Sequence, residues 1–148
     1  MSDQKIRKIT VIGSGTMGNG IAHVFAQYGH SVLLNDIKQE FLDRALSTIQ
    51  SNLDRQVKKG TITDKQNRDT LANIACTTNL EEAAQAADFV VEAVSENEGV
   101  KKEIFRTLDK KTKPGVILAS NTSSISITEL AAVTSRPDKV IGMHFMNP

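Results

Sequence analysis

The stretch that decides the fold is residues 8–25, which read KITVIGSGTMGNGIAHVF. An apolar, β-branched run ends abruptly at a cluster of glycines, and apolar residues then recur at helical spacing through Ile21, Val24 and Phe25. A short apolar run of this kind is typical of a buried strand, and the later spacing is typical of an amphipathic helix. The stretch therefore predicts a strand, a glycine-rich turn and a helix, in that order.

The glycines of the turn fit the pattern G-x-G-x-x-G, directly after a strand and at the start of a helix. In that setting the first glycine permits a tight turn, the second lets the backbone approach a pyrophosphate, and the third lets helix and strand pack closely. The free N–H groups and the dipole of the helix N-terminus then favour phosphates. The residues predicted to bind a dinucleotide here are Gly13, Ser14, Gly15, Thr16, Met17 and Gly18.

Asp36 narrows the choice of ligand. It closes a second predicted strand, SVLLND, 18 positions after Gly18. This is close to the spacing of about 20 expected for the acid that binds the ribose hydroxyls. Its charge would repel a 2′-phosphate, so the predicted cofactor is NAD rather than NADP. The alternatives are a plain glycine-rich turn and an S-adenosylmethionine site, although the latter fits a looser G-x-G-x-G better than the spacing seen here.

The composition argues against several other classes of protein. The 148 residues fit one domain, and 18 basic residues nearly balance 17 acidic ones, so no basic patch for nucleic acid or an anionic membrane is predicted. The single cysteine, Cys76, supports neither an internal disulfide nor a cysteine-based metal site, and no metal is predicted. The N-terminus lacks the apolar region of a secretory signal, and no run is long enough for a membrane span. We expect a cytoplasmic protein, with an organellar matrix as the alternative.

Strand-like and helix-like segments alternate along the whole chain. The predicted strands after the first two are IACTT, DFVVEAV, VILASN and KVIGMHF. Apolar strands separated by helices are typical of a parallel sheet covered on both faces. The predicted fold is therefore an α/β, Rossmann-type doubly wound sheet. Residues 39–74 contain two predicted helices where a minimal βαβ unit has one, and we expect this helical excursion to project from the sheet.

In such a fold, ligands bind outside the carboxyl ends of the strands. A histidine, a serine and an amide beside a nicotinamide suit dehydrogenation of an alcohol, since a base takes the hydroxyl proton while the carbon gives up hydride. Structural roles are the alternatives: Ser124 or Ser126 as a helix cap, and His144 as a half-buried imidazole. The polar residues at the ends of three predicted strands are Glu92, Glu96, Asn97, Asn121, Thr122, Ser123, Ser124, His144 and Asn147. Glu92 lies inside an apolar strand, where a carboxylate is costly unless it is paired.

Four segments, in this order, resemble a known family: VIGSGTMGNGIAHVFAQYGHSVLLND, VVEAVSEN, LASNTSS and GMHFMNP. Over nearly the whole chain they resemble the NAD-binding half of the 3-hydroxyacyl-CoA dehydrogenases, and most of all the bacterial type that acts on 3-hydroxybutyryl-CoA. The S-N-T-S-S and H-F-x-N-P motifs are much more specific than the glycine pattern. The implied activity is the reversible NAD-dependent oxidation of an (S)-3-hydroxyacyl-CoA to the 3-ketoacyl-CoA.

The resemblance implies a role for each matching residue. His144 is the implied catalytic base, and Ser123 is the implied hydrogen-bond donor to the 3-oxygen of the substrate. The implied contacts on the nicotinamide side are Glu96, Lys101, Asn121 and Asn147. The implied substrate contacts are Ser123, Asn121, Lys101, Asn52 and Lys59. One departure concerns Glu98, which follows the E-N pair where the family usually has leucine.

The resemblance also implies a division into domains. We expect residues 1–148 to form the NAD-binding domain, and we expect the helical second domain of the family to lie outside them. In the family, the segments beyond this domain supply a glutamate that orients the histidine, most of the acyl pocket and the interface of a homodimer. Without them we expect NAD binding with a loss of about 10⁴ in rate, by analogy with serine proteases. A non-catalytic dinucleotide-binding module and another 3-hydroxyacid-type dehydrogenase are the alternatives.

Overall fold

A six-stranded parallel sheet organises residues 6–145, the part of the chain that the computed structural model describes. The strands are β1 (Lys8–Ile12), β2 (Ser31–Asn35), β3 (Ile74–Thr77), β4 (Phe89–Glu92), β5 (Ile117–Ser120) and β6 (Val140–Gly142). Their order across the sheet is β3-β2-β1-β4-β5-β6, and every neighbouring pair is parallel. This is the strand order of the doubly wound dinucleotide-binding fold, so the predicted Rossmann-type architecture is confirmed. The order reverses between β1 and β4, which leaves a crevice at their carboxyl ends.

Helices cover both faces of this sheet. They are α1 (Thr16–Gln27), α2 (Gln39–Lys58), α3 (Asp64–Ala72), α4 (Leu80–Ala86), α5 (Glu98–Lys111) and α6 (Ile127–Ala132), and a 3₁₀ turn at Pro137–Lys139 precedes β6. Alternate strand residues point to opposite faces. Val11 and Val91 therefore join the core under α1 and α2, while Ile12 and Val90 join the core under α4, α5 and α6. Because helices cover both faces, the central strands β1 and β4 are mostly apolar, as the sequence indicated.

The helical excursion after β2 exists, but the expectation that it projects from the sheet is wrong. Leu42, Ala45, Ile49 and Leu53 of α2 are each no more than 2% exposed and belong to the core that also contains residues of α1 and β1. The spacing of these residues makes a continuous apolar stripe along one side of the helix. Burying that stripe is favourable, so α2 packs on the body of the domain.

Side chains cap the N-termini of α3 and α6 through local hydrogen bonds. Thr63 caps α3 with a capping box, in which its side chain accepts from the backbone N–H of Gln66. Ser126 caps α6 by accepting from the backbone N–H of Glu129. Ser124 makes a different contact, described below. Within residues 6–145, no helix has both the length and the apolar character needed to cross a membrane.

Candidate active site

The glycine-rich turn between β1 and α1 is shaped by contacts that leave no room for side chains at two positions. Gly13 has φ +98°, and a Cβ there would lie 2.7 Å from the carbonyl oxygen of Ala93. A Cβ on Gly18 would lie 1.7 Å from the carbonyl oxygen of Gly13. A Cβ on Gly15 would meet nothing within 4 Å. The first and third glycines thus permit close packing, and the second leaves an open face that a ligand can approach.

The N-terminus of α1 opens onto that face. Gly15 is the N-cap residue, and no side chain in the described part of the protein caps this helix end. The first N–H groups of a helix have no partner within the helix, so those of α1 are available to an anion. They border a cavity of about 470 Å³ that reaches from the turn to Asp36 and to Arg44 of α2. This cavity is a suitable place for the pyrophosphate and adenosine of a dinucleotide.

Asp36 follows β2 and is fixed beside the glycine turn. Its Oδ2 accepts hydrogen bonds from the backbone N–H of Ser14 at 2.9 Å and from the Ser14 hydroxyl at 2.6 Å. Its Oδ1 accepts from the backbone N–H of Ile37 at 2.7 Å. The sequence placed Ser14 among the cofactor contacts but did not predict this link. The glycine turn and Asp36 therefore form one hydrogen-bonded unit.

Glu92, at the end of β4, is paired inside the sheet, as its burial requires. Its side chain is fully buried, and its Oε1 accepts a hydrogen bond from the Ser120 hydroxyl at 2.5 Å. Its Oε2 accepts from the Lys101 ammonium at 2.6 Å and from the backbone N–H of Val94 at 2.7 Å. The carboxylate thus connects the ends of β4 and β5 with α5.

Lys101 is the site residue whose position differs most from the expectation. Its side chain is also fully buried, and its ammonium lies between Glu92, the carbonyl oxygen of Val94 at 3.1 Å and Glu96 Oε1 at 3.3 Å. Direct contact with cofactor or substrate was expected; in the structure these groups cover the Lys101 ammonium. The reason is that a buried carboxylate needs a counter-charge, and Lys101 supplies it.

Glu96 lies above this pair and lines a second cavity. Its Oε2 accepts hydrogen bonds from the Thr122 hydroxyl at 2.6 Å and from the Ser124 hydroxyl. Burial acts to raise the pKa of Glu96, but the hydrogen bonds from Ser124 and Thr122 and the Lys101 ammonium outweigh it and lower the pKa to about 2. Glu96 is therefore a carboxylate at neutral pH. Its hydrogen bonds also attach the loop after β5 to the loop after β4.

The second cavity brings together residues from four separate parts of the sequence. It has a volume of about 290 Å³, and its lining includes Met17, Glu96, Asn121, Ser123 and His144. It lies at the carboxyl ends of the strands, across the glycine turn from Asp36. Ser123 and His144 are both exposed in it. The predicted meeting of a histidine, a serine and an amide is therefore what the structure has.

Asn121 holds the histidine-bearing segment in place. Its backbone N–H donates to the carbonyl oxygen of Glu92 at 2.8 Å, which extends the pairing of β4 and β5. Its side-chain Oδ1 accepts from the backbone N–H of Phe145 at 3.0 Å, one residue after His144. The amide thereby connects the end of β5 to the end of β6. An asparagine directly after a buried strand was the sequence signal for this position.

Three other expected contacts lie away from this cavity or outside the described residues. Asn52 and Lys59 line a separate groove of about 480 Å³ between α1 and α2, together with His23. Asn147 lies outside the described residues. Residues 6–145 contain no group of three His, Cys, Asp or Glu side chains that could hold a metal ion.

The strand order, the bare glycine turn and Asp36 define a dinucleotide-binding domain of the Rossmann class. The profile of the family described as "3-hydroxyacyl-CoA dehydrogenase, NAD binding domain" matches residues 8–148. The chain belongs to this family, as its motifs indicated, and the cofactor of the domain is NAD.

Relatives from several bacteria support the same assignment. The chain is 48% identical to 3-hydroxybutyryl-CoA dehydrogenase of Bradyrhizobium diazoefficiens, over 97% of this chain and 48% of the relative. It is 46% identical to the enzyme of the same name from Clostridioides difficile, over 95% of this chain and 50% of that relative. The crystal structure of (S)-3-hydroxybutyryl-CoA dehydrogenase from Ralstonia eutropha matches with a TM-score of 0.94 and 45% identity, over 97% of this chain and 50% of that one. The chain spans about half the length of the curated relatives it matches.

Proposed function

We propose that the chain forms the NAD-binding domain of an enzyme that oxidises (S)-3-hydroxyacyl-CoA to 3-ketoacyl-CoA, with 3-hydroxybutyryl-CoA as the preferred substrate. One observation carries the proposal: His144, Ser123 and Asn121 share a cavity with Met17 of the glycine-rich helix. A base and a hydrogen-bond donor thus lie at the carboxyl ends of the strands, where we expect the nicotinamide to bind. The names of the relatives support the acyl-CoA class of substrate.

The described residues fit NAD along its whole length. Asp36 would hold the adenosine ribose, and the glycine turn with the N-terminus of α1 would hold the pyrophosphate. The cavity lined by Glu96, Ser123 and His144 would then hold the nicotinamide end. When bound, NAD supplies a hydride acceptor for the carbon that carries the substrate hydroxyl.

The side chains that line the cavity have different roles in the reaction. His144 acts as the general base that takes the proton of the 3-hydroxyl group. The Ser123 hydroxyl donates a hydrogen bond to the same oxygen and so favours the carbonyl product. Asn121 holds the segment of His144 through its bond to Phe145. The reverse reaction uses the same groups, with His144 returning the proton.

We further propose that a second, helical domain completes the enzyme. In this proposal residues 1–148 are the cofactor-binding half, and the other domain supplies the carboxylate that orients His144, the acyl pocket and the interface of a homodimer. Asn52 and Lys59 would bind the CoA moiety, because the groove they line presents an ammonium and an amide that suit its phosphates. The proposed location is the cytoplasm.

Calorimetric titration of the chain with NAD and NADP tests the cofactor site. Asp36→Ala should raise the dissociation constant for NAD about 10- to 100-fold, because hydrogen bonds to a charged group each contribute about 1.5–3 kcal/mol. Asp43→Ala, an exposed carboxylate on α2, removes the same charge and should leave NAD binding unchanged. Equal binding of NAD and NADP, or no effect of Asp36→Ala, would contradict the proposed cofactor geometry.

Reduction of acetoacetyl-CoA by NADH tests the chemistry in the full-length protein. His144→Gln should lower kcat about 10²- to 10⁴-fold, the usual contribution of a general acid or base. His30→Gln is the matched control, since His30 contacts Phe25 edge-on and lines neither cavity of the cofactor site. An active His144→Gln enzyme would exclude the proposed role of this residue.

A further inference from the structure

Three charged side chains lie in a row that ends at Glu96 in the wall of the His144 cavity. Glu92 and Lys101 are fully buried, with 2.6 Å between the carboxylate and the ammonium, and Glu96 lies 3.3 Å from the same ammonium. Two carboxylates therefore face a single ammonium. The row carries a net charge of −1, from one positive and two negative groups.

The negative charge that remains after Glu92 and Lys101 are paired is that of Glu96, the residue of the row that lines the cavity. Glu92 and Lys101 neutralise each other inside the sheet, while the Glu96 side chain is 39% exposed. Glu96 and His144 are the titratable side chains among the described residues that line this cavity. The cavity therefore has a fixed negative charge in its wall that no lining cation offsets.

The carboxylate of Glu96 is also held rigidly. One of its oxygens faces Lys101, and the other accepts hydrogen bonds from Thr122 and Ser124. A charge fixed in this way does not have to reorganise when a ligand binds, so its field acts fully on that ligand. An exposed carboxylate on a mobile side chain would act far more weakly.

We propose that Glu96, supported by the buried Glu92–Lys101 pair, makes this domain discriminate between the two oxidation states of its cofactor in favour of the oxidised one. The inference rests on the proposed function, which puts the nicotinamide in this cavity. The nicotinamide ring is a cation in NAD⁺ and is neutral in NADH, so a fixed negative charge favours the former. Glu96 thus determines how strongly the domain prefers the charged nicotinamide ring to the neutral one. This effect is additional to any direct contact between Glu96 and the ring.

The test is the ratio of two dissociation constants measured on this chain, Kd for NAD⁺ divided by Kd for NADH. Glu96→Gln keeps the shape and removes the charge; its remaining oxygen can still face Lys101, and its NH2 group can donate to the Thr122 or Ser124 hydroxyl. It should raise this ratio about threefold, the size expected for a partly exposed charge pair. The increase should shrink with added salt, because salt screens such a charge. Damage to the fold would weaken both forms of the cofactor by the same factor and leave the ratio unchanged.

Two further variants separate charge from geometry. Glu96→Asp keeps the charge and should keep the wild-type ratio within about twofold, even if both affinities fall. Glu103→Gln removes one negative charge from an exposed position on α5, where the side chain is 73% exposed, and should leave the ratio unchanged.

An unchanged or lowered ratio in Glu96→Gln, with both forms still bound, overturns the inference and leaves the proposed function intact. A ratio in Glu96→Asp equal to that in Glu96→Gln also overturns it. If the wild-type chain binds neither NAD⁺ nor NADH, the proposed function itself fails, and the inference fails with it.

Discussion

Replacing Lys101 by methionine should destabilise the domain strongly. The side chain is fully buried, and its ammonium donates to Glu92 at 2.6 Å and to the Val94 carbonyl oxygen at 3.1 Å. Methionine fills a similar volume but leaves the Glu92 carboxylate buried without a counter-charge. Removal of one partner from a buried ion pair typically costs about 3–5 kcal/mol. That is a large part of the stability of a domain, commonly about 5–15 kcal/mol.

Urea unfolding followed by circular dichroism measures this loss directly. Lys102→Met is the matched control, because the neighbouring lysine is 28% exposed and pairs with Glu98 and Glu129 at the surface. The double variant Glu92→Gln/Lys101→Met should recover much of the loss, since no charge then remains buried unpaired. A Lys101→Met protein within about 1 kcal/mol of the wild type would refute the reasoning.

Two further outcomes follow from the same structure. Gly18→Ala should lower the free energy of unfolding by about 3 kcal/mol or prevent folding, because the new Cβ would lie 1.7 Å from the carbonyl oxygen of Gly13. In Gly15→Ala the new Cβ has nothing within 4 Å, so this variant should unfold at the same urea concentration as the wild type and differ from it in binding NAD more weakly. The hydrogen bond from Lys113 and backbone N–H groups lower the pKa of Asp88 from 3.8 to about 2. A carboxyl whose pKa is lower in the folded state stabilises the fold at any pH above its ordinary pKa. That stabilisation is lost as the pH falls through the pKa of the folded state. Asp88→Asn should thus cost about 1 kcal/mol at pH 7, after allowance for solvent screening, and only a small part of that at pH 2; an equal cost at both pH values in urea unfolding would contradict this.

The candidate site shows where sequence reasoning succeeded and where it did not. The strand-end rule selected Asn121, Ser123 and His144, and the structure places all three in one cavity. It could not reveal that Asn121 bonds to the backbone of Phe145, because that contact joins segments 24 residues apart. Lys101 was matched to a ligand contact by its place in a motif, and the sequence did not show that its ammonium is buried against Glu92.

The sequence by itself determined the strands, the glycine turn, the doubly wound fold and the helix cap at Ser126. Those features depend on local sterics, on apolar periodicity and on hydrogen bonds within a few residues, all of which can be read along the chain. Only the tertiary structure decided that α2 packs on the core and that Glu96 lies beside a buried ion pair. Such contacts depend on which surfaces and charges meet when distant segments pack, and no local pattern contains that information.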